Sequence, residues 1–303
     1  NLFVRENRFH FMFLRSYMEY HSDRFTDHSW VIFDDDELVG IVPANQEKNS
    51  SVSHRGLTFG GFLFSQRLSS SRRIFCVEQM IAFFRSIDFQ KLIIKTPPSI
   101  YPDFDPILNF ALWKESAYVN EQQVTLATKK SFVDQWSSRR KRGLKKARKN
   151  SVVVRSTEDF EPFWHEVLIP VLKAHHNTVP THSLSEIQSL ASDHPEILQI
   201  EALHHNKIIA GMTLYRTEKV IHAQYIASNE VGRNVGALEA IVHFCLMELV
   251  AENQWFNFGS VNENGGRVVN SGLLNWKEEF AAIPFLHTTY ELHLSESRGQ
   301  ELI

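Results

Sequence analysis

Residues 219–282 read KVIHAQYIAS, NEVGRNVGALEAIVHFCLMELVAENQ, WFNFGS, VNENGGRVVN and SGLLNWKEEFAA, and this stretch decides the fold. A β-rich run at 219–228 leads through a polar Gly/Asn turn into a long helix expected over 236–252. A strand at 255–260, a glycine loop and a compact helix at 271–281 follow. A strand that opens into a helix through glycine suits an anion, because the first helical N–H groups point outward and the dipole favours negative charge. The stretch therefore predicts a phosphate or pyrophosphate cradle at Arg233, Gly236 and Ala237. The competing reading is a plain strand–helix turn, with Gly236 present for backbone geometry.

Upstream, the second half predicts a strand at 152–155, a helix at 158–176 and a helix at 184–192 capped by Ser183 or Ser185, with Glu186 three residues after Ser183. Strands at 197–203 and 207–216 are joined by the tight turn HHNK, and a last strand is expected at 286–294. The first half shows the same order of elements. It predicts a helix at 8–20, a hairpin of strands 29–33 and 38–44 around DDDE, and a strand-like segment at 54–64 with three glycines. A helix at 70–88, a strand at 91–96 stopped by Pro97–Pro98, a helix at 105–113 and a strand at 119–127 complete it. The pattern is α/β with mixed sheets. It divides economically into domains at 1–136 and 151–303, joined by a basic helix at 137–150.

Composition is that of an ordinary globular chain, with 43% apolar and 22% charged residues over 303 positions. The formal charge of −3 gives no global pull toward nucleic acid, but charge is uneven. Residues 139–149, RRKRGLKKARK, hold eight basic groups and no acid, so the remainder of the chain carries −11. Cys76 and Cys245 sit in apolar helical runs and read as buried thiols. No apolar run approaches the roughly 20 residues of a membrane span, and no signal peptide is visible, so a cytoplasmic protein is expected.

The element order resembles the GNAT acyltransferase fold, and the end of the chain resembles its FemAB-like, double-GNAT branch, which includes the BioF2-like acyltransferase domain of polysaccharide gene clusters. The likeness is carried by IIAGMTLYR at 208–216, HAQYIASN at 222–229, GRNVGALEAI at 232–241 and FNFGSVNENGGRVVNSGLLNWKEEFAA at 256–282. PTHSLSEI at 180–187 and SHRGLTFGGFL at 53–63 add to it. The resemblance implies tandem GNAT-like domains with catalysis in the second half. It implies an acyl-coenzyme A co-substrate beside the strand 219–228, with no tightly bound cofactor. The family's phosphate loop, Arg/Gln-x-x-Gly-x-Gly/Ala, matches at Arg233 and Gly236 but has Leu238 in place of the last small residue. FemAB relatives use aminoacyl-tRNA on the same fold, which gives the second expectation.

Several side chains then carry candidate chemistry. His182, in a Pro/Thr/His loop shared with His175 and His176, suits a base for an ammonium acceptor, or else caps the next helix. These histidines lack a companion carboxylate and do not match a zinc set, so no metal is expected. Tyr225 suits a general acid, or else a core aromatic with its hydroxyl satisfied. Strict alternation would put Gln224 on the opposite face of the strand, so only one of the two can face a given cleft. In NWKEEF, Glu278 is a candidate base and Lys277 a holder of carboxylate or phosphate, against a solvated helix face. Ser260, Glu263 and Asn270 flank the glycine loop at a strand end, a usual place for substrate contacts. His54, Arg55, Gly60 and Gly61 form a glycine-rich candidate on the acceptor side, against a β-bulge. The cations Arg139, Arg140, Lys141, Arg142, Lys145, Lys146, Arg148 and Lys149 are candidates for tRNA or diphosphate contact. The function expected is N-acyl transfer to an amine of a sugar nucleotide or cell-envelope precursor. The alternatives are a FemAB-type aminoacyl-tRNA transferase and a non-catalytic GNAT-fold binding module.

Overall fold

Left-handed residues at the turns set the hairpins. In the computed structural model, which describes residues 1–87 and 89–295, Asp35 at φ 52° turns β1 (Trp30–Asp34) into β2 (Glu37–Val42). His205 at φ 49° and Asn206 at φ 61° turn β9 (Ile197–His204) into β10 (Lys207–Arg216), the double left-handed geometry of a two-residue hairpin. The side chains of His175 and His176 lie outside the described residues.

The chain forms two compact units. One comprises 1–123, 264–267 and the chain from Leu286 on; the other comprises 124–263 and 268–285. In the first unit, β5 (Leu63–Phe64) joins β1 and β2 in one small sheet. β3 (Ala44–Glu47), β4 (Ser50–Ser53), β6 (Lys91–Lys95) and the part of β15 (Ile283–His293) in this unit pair in that order, β4 with β6 in parallel. Helices α1 (Ser70–Ser86) and α2 (Pro106–Lys114) bury Val77, Ile81, Phe84, Leu108 and Leu112 against Leu92 and Ile94 of β6. Ser69 and Asp105 cap the two helices by accepting from Arg72 N and Ile107 N.

In the second unit, strands pair in the order β7 (Tyr118–Thr128, in this unit from Val124 on), β12 (Trp255–Ser260), β11 (Val220–Ser228), β10, β9 and β8 (Val153–Thr157). The basic segment folds as α3 (Ser138–Lys149). The chain continues through a π turn at Trp164–Leu168 into α4 (Ile169–His176), then α5 (Leu184–Asp193). The expected Ser183/Glu186 capping box is formed in full. After β11 come α6 (Glu230–Val235) and α7 (Ala237–Phe244). The hairpin β13 (Asn262–Glu263) and β14 (Val268–Val269) precedes α8 (Ser271–Glu278). Ile200, Met212, Leu214, Ile221, Ile241, Leu246, Phe256, Phe258 and Phe280 are fully buried in one core.

Four expectations are corrected. Residues 8–20 are broken into short turns, because Asp103 Oδ1 accepts from His10 N at 2.8 Å and His10 Nδ1 accepts from Met12 N. Residues 54–62 are loop, since Gly61 at φ 116° cannot lie in a strand and only Leu63–Phe64 pair. The polar turn at 230–235 is itself helical, ended by Gly236 at φ 81°. The long helix after it starts at Ala237 and passes at Cys245–Leu249 into a π turn. Both cysteines are buried and unpaired. Among the described residues no helix is long and apolar enough to cross a membrane.

Candidate active site

The site begins where two parallel strands part. β11 and β12 are in register for three residues only, Val220 with Trp255, Ile221 with Phe256 and His222 with Asn257. β11 then runs on to Ser228 beside β10, whereas β12 follows β7 to Ser260 opposite Thr125. From Ala223 onward the edge of β11 facing β12 has no strand paired to it among the described residues. Backbone N–H and C=O groups on such an edge can bind an extended ligand.

One arm of the gap carries Tyr225. Cross-strand register aligns Gln199, Thr213 and Tyr225 on one face, and Thr213 Oγ1 donates to Gln199 Oε1 at 2.8 Å. The Tyr225 hydroxyl accepts from His182 N at 3.1 Å and lies 2.6 Å from His182 Nδ1. The 2.6 Å contact places the phenol and the imidazole Nδ1 close enough to pass a proton between them. Trp164 packs edge-on to the Tyr225 ring at 5.2 Å. Burial raises the phenol above its ordinary range. The β10–β11 register slips between Thr213 and Leu214, so Gln224 is the extra residue of a bulge. Alternation fails at a bulge, and the Gln224 side chain bonds the Tyr225 hydroxyl, as does that of Thr181. The expectation that only one of Gln224 and Tyr225 can face the same place is therefore corrected. His182 and Tyr225, singled out separately, form one unit.

The other arm carries Lys277. Gly259, at φ 78°, turns the end of β12, and Lys277 Nζ donates to Gly259 O and Ser260 O, each at 2.8 Å. The side chain is buried, with 2% exposure, and burial pulls the amine down to about 7. Neutral Lys277 uses both N–H groups on these carbonyls and keeps a lone pair to take a proton. Charged Lys277 has a third N–H for a phosphate or carbonyl oxygen. His222 lies near it. Its Nδ1 is buried without a hydrogen bond to any described residue, and burial, then the Lys277 charge, push its ring down to about 4. Asn257 Oδ1 accepts from Thr125 Oγ1 at 2.7 Å and from Gly259 N at 2.8 Å, fixing the turn.

The predicted phosphate cradle is differently built. A Cβ on Gly236 would collide with the Gly143 carbonyl of α3, and one on Gly143 would lie 2.8 Å from the Glu239 carboxyl carbon. Helix α3 thus packs backbone-to-backbone on the turn before α7. Arg140 points inward to Glu239 and to Glu279, the latter at 2.8 Å, and is 6% exposed, so it is withdrawn from any surface contact. Beside this packing lies a cavity of about 440 Å³ edged by Arg139, Lys146, Arg233, Gly236 and Leu238. Ala237 does not line it and is fully buried. Lys141, Arg142, Lys145, Lys146, Arg148 and Lys149 are all exposed, on the outer face of α3.

The remaining candidates sit elsewhere. Asn270 caps α8 at Leu273 N and donates to Glu263, while Ser260 Oγ accepts from Asn262 N, so these groups hold the loop. Glu278 is exposed, one position and about 100° round the helix from Lys277. In the first unit His54 and Arg55 line a cavity of about 140 Å³. Gly60 instead packs on Ser53, and Gly61 on Ile94 and Leu108. No group of three or more His, Cys, Asp or Glu among the described residues is placed to hold a metal ion. His222, Asn257 and Thr213 were not singled out from sequence. The only signal was a polar residue on each of three apolar strands.

No protein-family model and no curated protein matches the chain. Solved structures do. FemX matches over 96% of this chain and 94% of its own at 11% identity and a TM-score of 0.68. The chain has the FemX fold. The C-terminal domain of an Agrobacterium fabrum protein described as a lysylphosphatidylglycerol synthetase matches over 87% of this chain and 83% of its own, at 14% identity and TM-score 0.60. L-PGS from Bacillus licheniformis matches over 88% and 83%, at 8% identity and TM-score 0.55. The expected mixed α/β, FemAB-like fold is borne out by the likeness to FemX.

Proposed function

We propose that the chain is an N-acyl or aminoacyl transferase whose donor carbonyl lies on the free edge of β11, and that the donor is an aminoacyl-tRNA. The parting of β11 from β12, with Tyr225–His182 on one arm and Lys277 on the other, is the observation that carries this reading. N–H groups of the β11 edge polarise the carbonyl. An acceptor amine, freed of its proton by His182 or by neutral Lys277, attacks the ester carbon. A C–N bond forms, the C–O bond to the ribose breaks, and the Tyr225 hydroxyl protonates the leaving oxygen and is reprotonated through His182. Two features favour RNA: the backbone cover that Gly143 lays over the Gly236 turn, and the run of cations on the outer face of α3. The likeness to FemX agrees.

Acyl-coenzyme A is the second reading, favoured by the cavity at Arg233 and Leu238. The acceptor in either case is an amine, on a sugar nucleotide or cell-envelope precursor. Incubation with charged tRNA or with acetyl-coenzyme A, and a panel of such amines, tests the proposal. Deacylated tRNA formed only when protein and amine are both present supports it. Thiol release instead selects the second reading, and neither product leaves a binding module.

A further inference from the structure

The first unit holds a cavity that transfer at β11 does not use. Along β6, Leu92 and Ile94 enter the core with α1 and α2, so Lys91, Ile93 and Lys95 lie on the opposite face. On that face the cavity of about 140 Å³ is bordered by Ser53, His54, Arg55, Lys95, Glu121 and Thr289, all in the first unit. Lys95 is paired with Thr289 across the sheet, and its N–H donates to Ser53 Oγ at 2.8 Å. Its ammonium makes no hydrogen bond or ion pair with any described residue, although burial lowers its pKa and the Glu121 charge only partly opposes this. The side chain is half-buried on the cavity wall, so its unbonded ammonium is open to an anion that enters the cavity.

The other groups on the wall are already committed or neutral. Arg55 holds Glu47 through two bonds of 2.7 and 3.1 Å. The His54 ring stacks on His21 at 4.9 Å, and burial pulls it to about 4, so it is uncharged at neutral pH. That leaves one cation, Lys95, and one carboxylate, Glu121, whose Oε1 accepts from Gln123 Nε2 at 2.6 Å. With ~30 Å³ per water, the space holds about four or five waters. This suits the end group of a small amino acid.

We propose that this cavity binds an amino-acid-like end group, a carboxylate received by Lys95 beside an N–H received by Glu121.

Titration of the isotope-labelled protein with alanine, N-acetylalanine, acetate and inorganic phosphate, followed through amide signals of Ser53, Arg55, Lys95 and Thr289, tests it. Saturable shifts with alanine mark a free amino acid as ligand, and shifts with N-acetylalanine alone mark a peptide terminus. Lys95→Met, or Lys95→Gln should the first variant unfold, weakens binding at least about tenfold, and Glu121→Gln weakens alanine but not acetate. The proposal is overturned if neither amino-acid probe shifts these signals, if phosphate binds as tightly as alanine, or if both folded Lys95 variants bind like the parent. Binding without any transfer would sink the transferase reading and leave the cavity standing.

Discussion

A buried lysine held near neutrality leaves a thermodynamic signature. Lys277 titrates at about 7 in the folded chain and near its ordinary value of about 10.4 when unfolded. Between these values the unfolded chain binds one more proton, so stability rises with pH, by about 1.4 kcal/mol per unit for this group. Below pH 7 both states are protonated and the difference is constant. Lys277→Met removes the proton from both states, but it strips Gly259 O and Ser260 O of their donor, at about 1–3 kcal/mol for each carbonyl left unsatisfied. That loss does not depend on pH. The group is half titrated at pH 7, so the stability difference between parent and Lys277→Met should widen in favour of the parent by about 2.3 kcal/mol from pH 7 to pH 9. Urea unfolding at pH 7, 8 and 9 measures it. Parallel stability curves for the two proteins would refute a neutral Lys277 and with it a lysine able to accept a proton in the gap.

Three further outcomes follow from named contacts. Tyr225→Phe keeps the fold, since Trp164 still packs on the ring, and lowers the rate of transfer by about 10²–10⁴-fold with little change in KM, read by steady-state kinetics. Arg140→Met leaves Glu239 buried beside Gly143 without its cation and destabilises the second unit by about 3–5 kcal/mol in chemical unfolding, with a smaller loss for the double variant Arg140→Met/Glu239→Gln. Asp103, with Oδ2 buried and unbonded to any described residue, is pushed up to about 7. The folded chain then binds the extra proton, and stability is lost as pH rises from about 4 to 7. Asp103→Asn flattens that slope, and a thermal melt series from pH 4 to 8 would show it.

The sequence was most legible where one local rule acts. The turn HHNK needed two residues tolerant of left-handed geometry, and the Ser183–Glu186 box needed only its spacing. The order of strands and helices in 219–282 followed from periodicity, and with the family likeness it pointed to a FemAB-like fold. What escaped was set by packing at a distance. KEEF reads as a solvated helix face, yet Lys277 is buried because two carbonyls at the end of β12 receive it. The bulge at Gln224 depends on the β10 register and is invisible in β11 alone. Gly236 reads as a ligand-facing glycine, but the space that it leaves is filled by Gly143. Lys95 looked like part of a buried strand, and only the pairing with Thr289 shows which face it takes.

The proposed transfer requires the gap between β11 and β12 to receive the donor carbonyl. Hydrogen–deuterium exchange of the full chain, with and without an amide-linked aminoacyl-RNA mimic, tests it most directly. Exchange is expected to slow at 223–228 and at 258–260 when the mimic binds, and this slowing is lost at high salt together with binding. Slowed exchange confined to other segments, with 223–228 unchanged at a saturating concentration of the mimic, would contradict it.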